Sequence, residues 1–153
     1  MSNHKGQADD TYGLARFVAA QESTYERAYR EIVAARKGSH WMWFVFPQIT
    51  GLGTSDMARR YAISGLAEAA AYLGHPVLGP RFLECCEALL RIQGSSAHEI
   101  FGSPDDLKLR SSMTLFSHVE KSKAACQAVI KKYFGGEPDD RTLQILTALE
   151  SGS

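Results

Sequence analysis

The chain has no apolar run approaching the ~20 residues that a membrane span needs, and no charge excess of either sign. Lys and Arg total 17, Asp and Glu total 17, and the net charge is zero. The first absence argues against a membrane protein. The second argues against broad attraction to nucleic acid or anionic membrane, where a basic excess is expected. Cysteine is scarce: Cys85 and Cys86 are adjacent and Cys126 is distant. Three cysteines cannot build a disulfide framework, so they are read as reduced thiols in a cytoplasmic protein. Residues 1–10 are polar and lack the apolar centre of a signal peptide. Of His4, His40, His75, His98 and His118, no two stand at i,i+4 and none has a cysteine at metal-ligand spacing. No metal is therefore expected. No glycine pattern matches a Walker or dinucleotide loop, and no cofactor is expected.

What is present is ordinary for a soluble domain: 153 residues, 44% hydrophobic and 22% charged. Strand-like alternation is nearly absent and helical spacing is common. Thr11 is a candidate N-cap ahead of Leu14, Phe17 and Val18. Residues 22–36 place Tyr25, Tyr29, Ile32 and Val33 on one side. Ser55 can cap a helix over 56–63. An Ala-rich helix over 66–73 breaks at Gly74-His75-Pro76, and Pro80 suits the first turn of a helix reaching residue 92. Ala97 to Phe101 reads as a short helical turn. Helices then follow from Pro104, over 121–134, and from Asp140 or Thr142 to 149. The expectation is all-α: a compact single-domain bundle of about eight short helices with one buried aromatic segment. A flexible leader covers 1–10, the globular domain 11–149 and a flexible tail 150–153.

The aromatic segment is the densest feature. Both tryptophans and two of seven phenylalanines fall between Trp41 and Phe46, ahead of Pro47-Gln48 and a glycine-spaced turn, Gly51-Leu52-Gly53-Thr54-Ser55. The segment has strand composition but no strand partner, so it is read as a buried helical turn or an extended piece ending at Pro47. An aromatic wall beside a polar, backbone-exposing loop is also how ligand sites are built. Trp41 and Trp43 are candidates to stack a ring. Gln48, Gly51, Gly53, Ser55 and Arg81 are candidate polar contacts, the glycine turn through exposed amides at a helix start.

A second constellation lies on the helix opened by Pro104. Leu109, Met113 and Phe116 mark its buried side, and Asp105, Lys108 and Ser112 line the edge of that side. A lysine partly withdrawn from water there could act as a base toward a hydroxyl. Lys108, Ser112, Asp106 and His40 are the catalytic candidates, and hydrolysis or group transfer on a nucleotide-derived substrate is the reaction class to test. No motif fixes a reaction, so whether the chain is an enzyme stays open. Asp105 and Lys108 also suit a plain i,i+3 ion pair. Two other readings stand beside the pocket. The aromatic block could be a partner-facing or homodimer surface without catalysis, leaving monomer or homodimer open. It could equally be simple core, with the polar residues capping helices.

Three blocks carry a family resemblance. These are His40-Trp41-Met42-Trp43-Phe44-Val45-Phe46-Pro47-Gln48 with Gly51-Leu52-Gly53, the stretch from Glu68 through Gly74-His75-Pro76 to Arg81, and Ile100-Phe101-Gly102 with Asp106 through Phe116. Together they resemble the domain of unknown function family 1810, over nearly all of the chain from Leu14 to Leu146. The resemblance implies a mainly helical single domain and hands over no activity or catalytic residue. Some similar chains carry the label calpastatin. A calpain inhibitor of that kind is a disordered, polar, repeat-bearing chain, unlike this apolar and unrepeated one. The family leads one to expect Gly-x-Lys before the aromatic block, where this chain has Ala35-Arg36-Lys37-Gly38.

Overall fold

The computed structural model describes residues 10–152. Among them are ten α-helices: α1 Ala15–Glu22, α2 Tyr25–Val33, α3 Met42–Val45, α4 Asp56–Arg60, α5 Leu66–Gly74, α6 Leu78–Arg91, α7 Ala97–Phe101, α8 Asp105–Phe116, α9 Lys123–Phe134 and α10 Asp140–Ser151. The all-α class is as expected. The count exceeds eight because α7, expected as a short turn, and α3, expected as a buried turn or an extended piece, each complete a short helix. No strand occurs among the described residues. One parallel bridge joins Ile49 to Ile63: the Thr50 N–H donates to the Ile63 carbonyl at 2.8 Å and the Ile63 N–H to the Gln48 carbonyl at 2.9 Å. The bridge pairs the backbone where the aromatic segment leaves the core in extended form.

Side-chain caps set several helix starts. The Asp10 carboxylate accepts from Leu14 N at 2.6 Å and Ala15 N at 3.1 Å, so Asp10 rather than Thr11 holds the first helix. Ser55 caps α4, and Ser96 with Glu99 forms a reciprocal capping box on α7. Asp139, rather than Asp140 or Thr142, caps α10 by accepting from Thr142 N at 2.9 Å. That helix continues to Ser151, into the segment read as a tail; the leader residues 1–9 lie outside the described residues.

Helix α8 is the centre of the bundle and packs on α3, α5, α7, α9 and α10. Leu109, Met113 and Phe116 are buried as expected, but so is every residue from Ser111 to Phe116. Surrounded on all sides, this second half of α8 loses the single apolar stripe of a surface helix. It tolerates hydroxyls because they bond its own backbone: Ser111 Oγ donates to the Leu107 carbonyl at 3.2 Å and Thr114 Oγ1 to the Arg110 carbonyl at 2.8 Å. Aromatic rings knit the surrounding helices together. Phe82 and Phe116 stand 4.5 Å apart, Tyr72 lies 5.5 Å from Phe116 and 5.1 Å from Phe17, and Phe46 lies 5.8 Å from Phe82. Such pairs each add about 0.5–1.5 kcal/mol beyond burial.

The three cysteines are free and buried. Burial pushes the Cys85 thiol up to about 12. Cys86 is held well above its ordinary value by its hydrogen bond with Cys126 and by burial. Both are core residues without thiolate character at neutral pH.

Helices α5 and α6 meet at Gly79. A Cβ there would stand 2.1 Å from the Leu73 carbonyl oxygen, which is backbone and cannot swing aside. Gly79→Ala is expected to cost roughly 2–3 kcal/mol or more in urea unfolding, as an overpacked core does. Gly74→Ala, with nothing within 4 Å, should be neutral or stabilising.

Candidate functional site

The link from α2 to α3 builds one wall of a cleft. It starts at Ala35, whose φ of +59° is left-handed, a conformation costing a side-chain-bearing residue about 1–2 kcal/mol. The reversed chain then docks on α7, where the Lys37 N–H donates to the Ile100 carbonyl at 2.7 Å. Glu31, in the last turns of α2, gathers the rest. One carboxylate oxygen accepts from Gly38 N at 2.8 Å, Ser39 N at 3.1 Å and Trp41 Nε1 at 2.8 Å, and the other from Ser39 Oγ at 2.7 Å. Burial pushes this carboxyl up, but the bonds from Gly38, Trp41 and Ser39 outweigh it and hold it below the usual carboxylate range.

The second wall is the start of α8, after the cis Ser103-Pro104 bond. The cleft between them is about 410 Å³ and is lined by Lys37, His40, Met42, Trp43, Asp105 and Lys108, with Gly38, Ser39, Phe101, Ser103 and Pro104. Lys37 Nζ lies 2.8 Å from Asp105 Oδ2, and the lysine side chain is only 7% exposed. The same ammonium donates to the Ser39 carbonyl at 2.6 Å and sits 5.1 Å from the Trp41 ring. Lys108 is held more loosely. Its Nζ is 3.5 Å from Asp105 Oδ1, with the side chain 26% exposed, and it rests 5.1 Å over the Trp43 ring. A pair that long and wet contributes about 0–1 kcal/mol, and the cation–π contact about 0.5–1 kcal/mol.

Of the residues singled out from sequence, the cleft gathers His40, Trp43, Asp105 and Lys108. Trp41 is fully buried, its ring against Phe46 and Phe101 and its N–H on Glu31, so it supports the wall and cannot stack a ligand. Asp106 sits just outside the lining: its carboxylate accepts from Leu107 N at 2.8 Å and lies 3.4 Å from His98 Nδ1. Ser112 points into the core, completely buried, and its hydroxyl has no hydrogen-bond partner among the described residues. It lies one turn beyond Lys108 on the same flank of α8, but from Ser111 to Phe116 the helix is closed over by its neighbours, so the expected line of three is split between cleft and core. Gln48, Gly51, Gly53 and Ser55 lie outside the lining. Gly51 turns the chain at φ +97°, a Cβ on Gly53 would meet the Ala58 Cβ at 2.6 Å, and Ser55 caps α4 through Ala58 N at 3.1 Å. Arg81 is engaged elsewhere, donating to Gln21 Oε1 at 3.3 Å with its guanidinium 4.7 Å from the Tyr25 ring. Sequence reading missed Glu31 and Lys37 as site residues. The only trace of them was the turn pattern around Lys37.

A family model described as Protein of unknown function (DUF1810) matches residues 11–146. The chain belongs to the DUF1810 family. Among solved structures it is similar to the crystal structure of the conserved hypothetical protein Rv1873 from Mycobacterium tuberculosis. The two are 52% identical with a TM-score of 0.86, over 88% of this chain and 96% of that one. No curated protein matches. The turn in which this DUF1810 chain departs from the expected Gly-x-Lys now has a physical reading. Ala35 occupies the glycine position of that pattern, and its backbone is left-handed, the conformation glycine adopts without steric cost.

Ala35→Gly is therefore expected to raise stability by up to about 1 kcal/mol in denaturant melts, the relieved backbone cost exceeding the extra freedom of the unfolded chain. Glu31→Gln should lower stability at pH 7 by about 1–3 kcal/mol. Because the folded Glu31 carboxyl titrates below its ordinary 4.5, its contribution is in force above that pH and is lost as pH falls through the folded value. The gap between wild type and Glu31→Gln should thus be widest near neutrality and narrow steadily in acid. A gap independent of pH would contradict the role given to the carboxylate.

Proposed function

We propose that this protein binds a small polar, nucleotide-like ligand in the cleft between residues 37–43 and the start of α8. The observation that carries the reading is Trp43. Its ring is half-buried at the rim: it packs on the edge of the core, lines the cleft, and carries the ammonium of Lys108 5.1 Å from its centre. Large aromatic surface left at the wall of a concave site, beside a few charged groups, is the usual composition of a ligand pocket. Lys37, Asp105, His40 and Ser103 supply polar groups around it. Lys37 and Asp105 are anchored to one another and set the rim's shape.

Thermal shift against nucleotides, nucleotide sugars, ADP-ribose and simple anions tests this. A compound that binds only the folded state raises stability with log concentration, by about 2.7 kcal/mol at a hundredfold excess over Kd. At least one ring-bearing compound should raise the melting temperature of wild type, and the shift should vanish in folded Lys108→Ala and in Trp43→Ala. No shift with any member of the panel would remove the ligand reading.

A further inference from the structure

The cleft carries an unequal pair of lysines, and that inequality says what it takes. Both ammoniums face one carboxylate, Asp105, so the lining holds one more positive than negative charge. Lys37 is committed: it is nearly buried, at full hydrogen-bond distance from Asp105 Oδ2 and from the Ser39 carbonyl. Lys108 is not. It stands 3.5 Å from Asp105, beyond the 2.7–2.9 Å of a strong charge-assisted bond, and parks its ammonium over the face of Trp43. Glu31, the nearby acid on α2, is turned away to the Gly38 and Ser39 amides and the Trp41 indole. Asp106 is turned to Leu107 N and His98. Neither neutralises Lys108.

Building on the cleft reading above, we propose that the ligand is a flat ring bearing an anionic group, bound by exchange at Lys108. The ring takes the place of the ammonium over Trp43, and the displaced ammonium pairs with the anion. Lys37 keeps Asp105 satisfied when Lys108 leaves, so the exchange strands no buried charge. A neutral ring gains the stacking but leaves the lysine without its aromatic partner. An anion without a ring gains the lysine but not Trp43. Both should bind weakly, and the combination should be favoured.

The test is a tryptophan-fluorescence titration with the four nucleoside 5′-monophosphates, their nucleosides, and ribose 5-phosphate, on wild type, Lys108→Ala, Lys108→Arg and Trp43→Phe. Trp41 is buried beneath Lys37, so the part of a ligand-dependent change that is lost in Trp43→Phe reports Trp43. For at least one base, the monophosphate should bind at least tenfold more tightly than its nucleoside and than ribose 5-phosphate. Lys108→Ala should reduce that preference to near unity, Lys108→Arg should keep it, and Trp43→Phe should abolish the fluorescence change. Equal affinity for nucleoside and monophosphate, or a preference that survives Lys108→Ala in a folded protein, would overturn the exchange while leaving the cleft a ligand site. Binding of no probe would overturn the cleft reading and the exchange together.

Discussion

One carbonyl oxygen deep in the protein decides whether the aromatic segment can be buried. Helix α3 has four residues, and a helix that short cannot pair its own last carbonyls. The Phe44 carbonyl instead accepts from Gln21 Nε2 at 2.7 Å and from the Tyr72 hydroxyl at 3.1 Å. Gln21 also donates to Tyr72 and accepts from Arg81, so α1 and α5 converge on one backbone group and α6 braces one of its donors. Left alone in a dry interior that carbonyl would cost about 1–3 kcal/mol. Burial pushes the Tyr72 hydroxyl far above its ordinary value and keeps it a neutral donor. Packing of Trp41, Phe44 and Phe46 is thus tied to α1, α5 and α6, which lie far from them in the chain.

The cleft is a by-product of the same arrangement. With Phe44 and Phe46 turned inward and Trp41 held by Glu31, Trp43 is the aromatic residue of the segment left at the rim. The α2–α3 link then has to bend sharply, and it does so at Ala35 and through the carboxylate of Glu31. The site therefore depends on a charge that does not face it. Lys37 inherits its position from that bend, and Asp105 and Lys108 are brought to it by the central helix.

Helix periodicity made the all-α class and most helix positions legible, because an apolar stripe at i, i+3 and i+4 is a local property. Caps were partly legible: Ser55 was read from local rules, whereas the Ser96 box was not, and Asp10 and Asp139 displaced the neighbours that also fit those rules. Helix α8 could be placed but not its surroundings, since Ser111, Ser112 and Thr114 look like a solvent-facing edge until five other helices close over them. The site was half legible for the same reason. Trp43, His40, Asp105 and Lys108 could be singled out by type and spacing, but that Trp41 faces inward and Trp43 outward is decided, together with Phe46, by Phe101 and Glu31, which lie far from them in sequence. Glu31 and Lys37 matter through contacts made only once the link has folded back, and no pattern of residue types announces that.

The central position of α8 also has a bearing on how the molecule comes into being. Helices α3, α5 and α7 all precede it in the chain, and each rests part of its apolar face on it. During synthesis those faces exist before their common partner does. At ~5–20 residues per second, the ribosome needs about 1–3 s to add the ~15 residues between the end of α7 and the end of α8. Through that interval the apolar faces that α3, α5 and α7 turn to α8 have no partner. The core of the protein is therefore complete only once this late, hydroxyl-studded helix has been made.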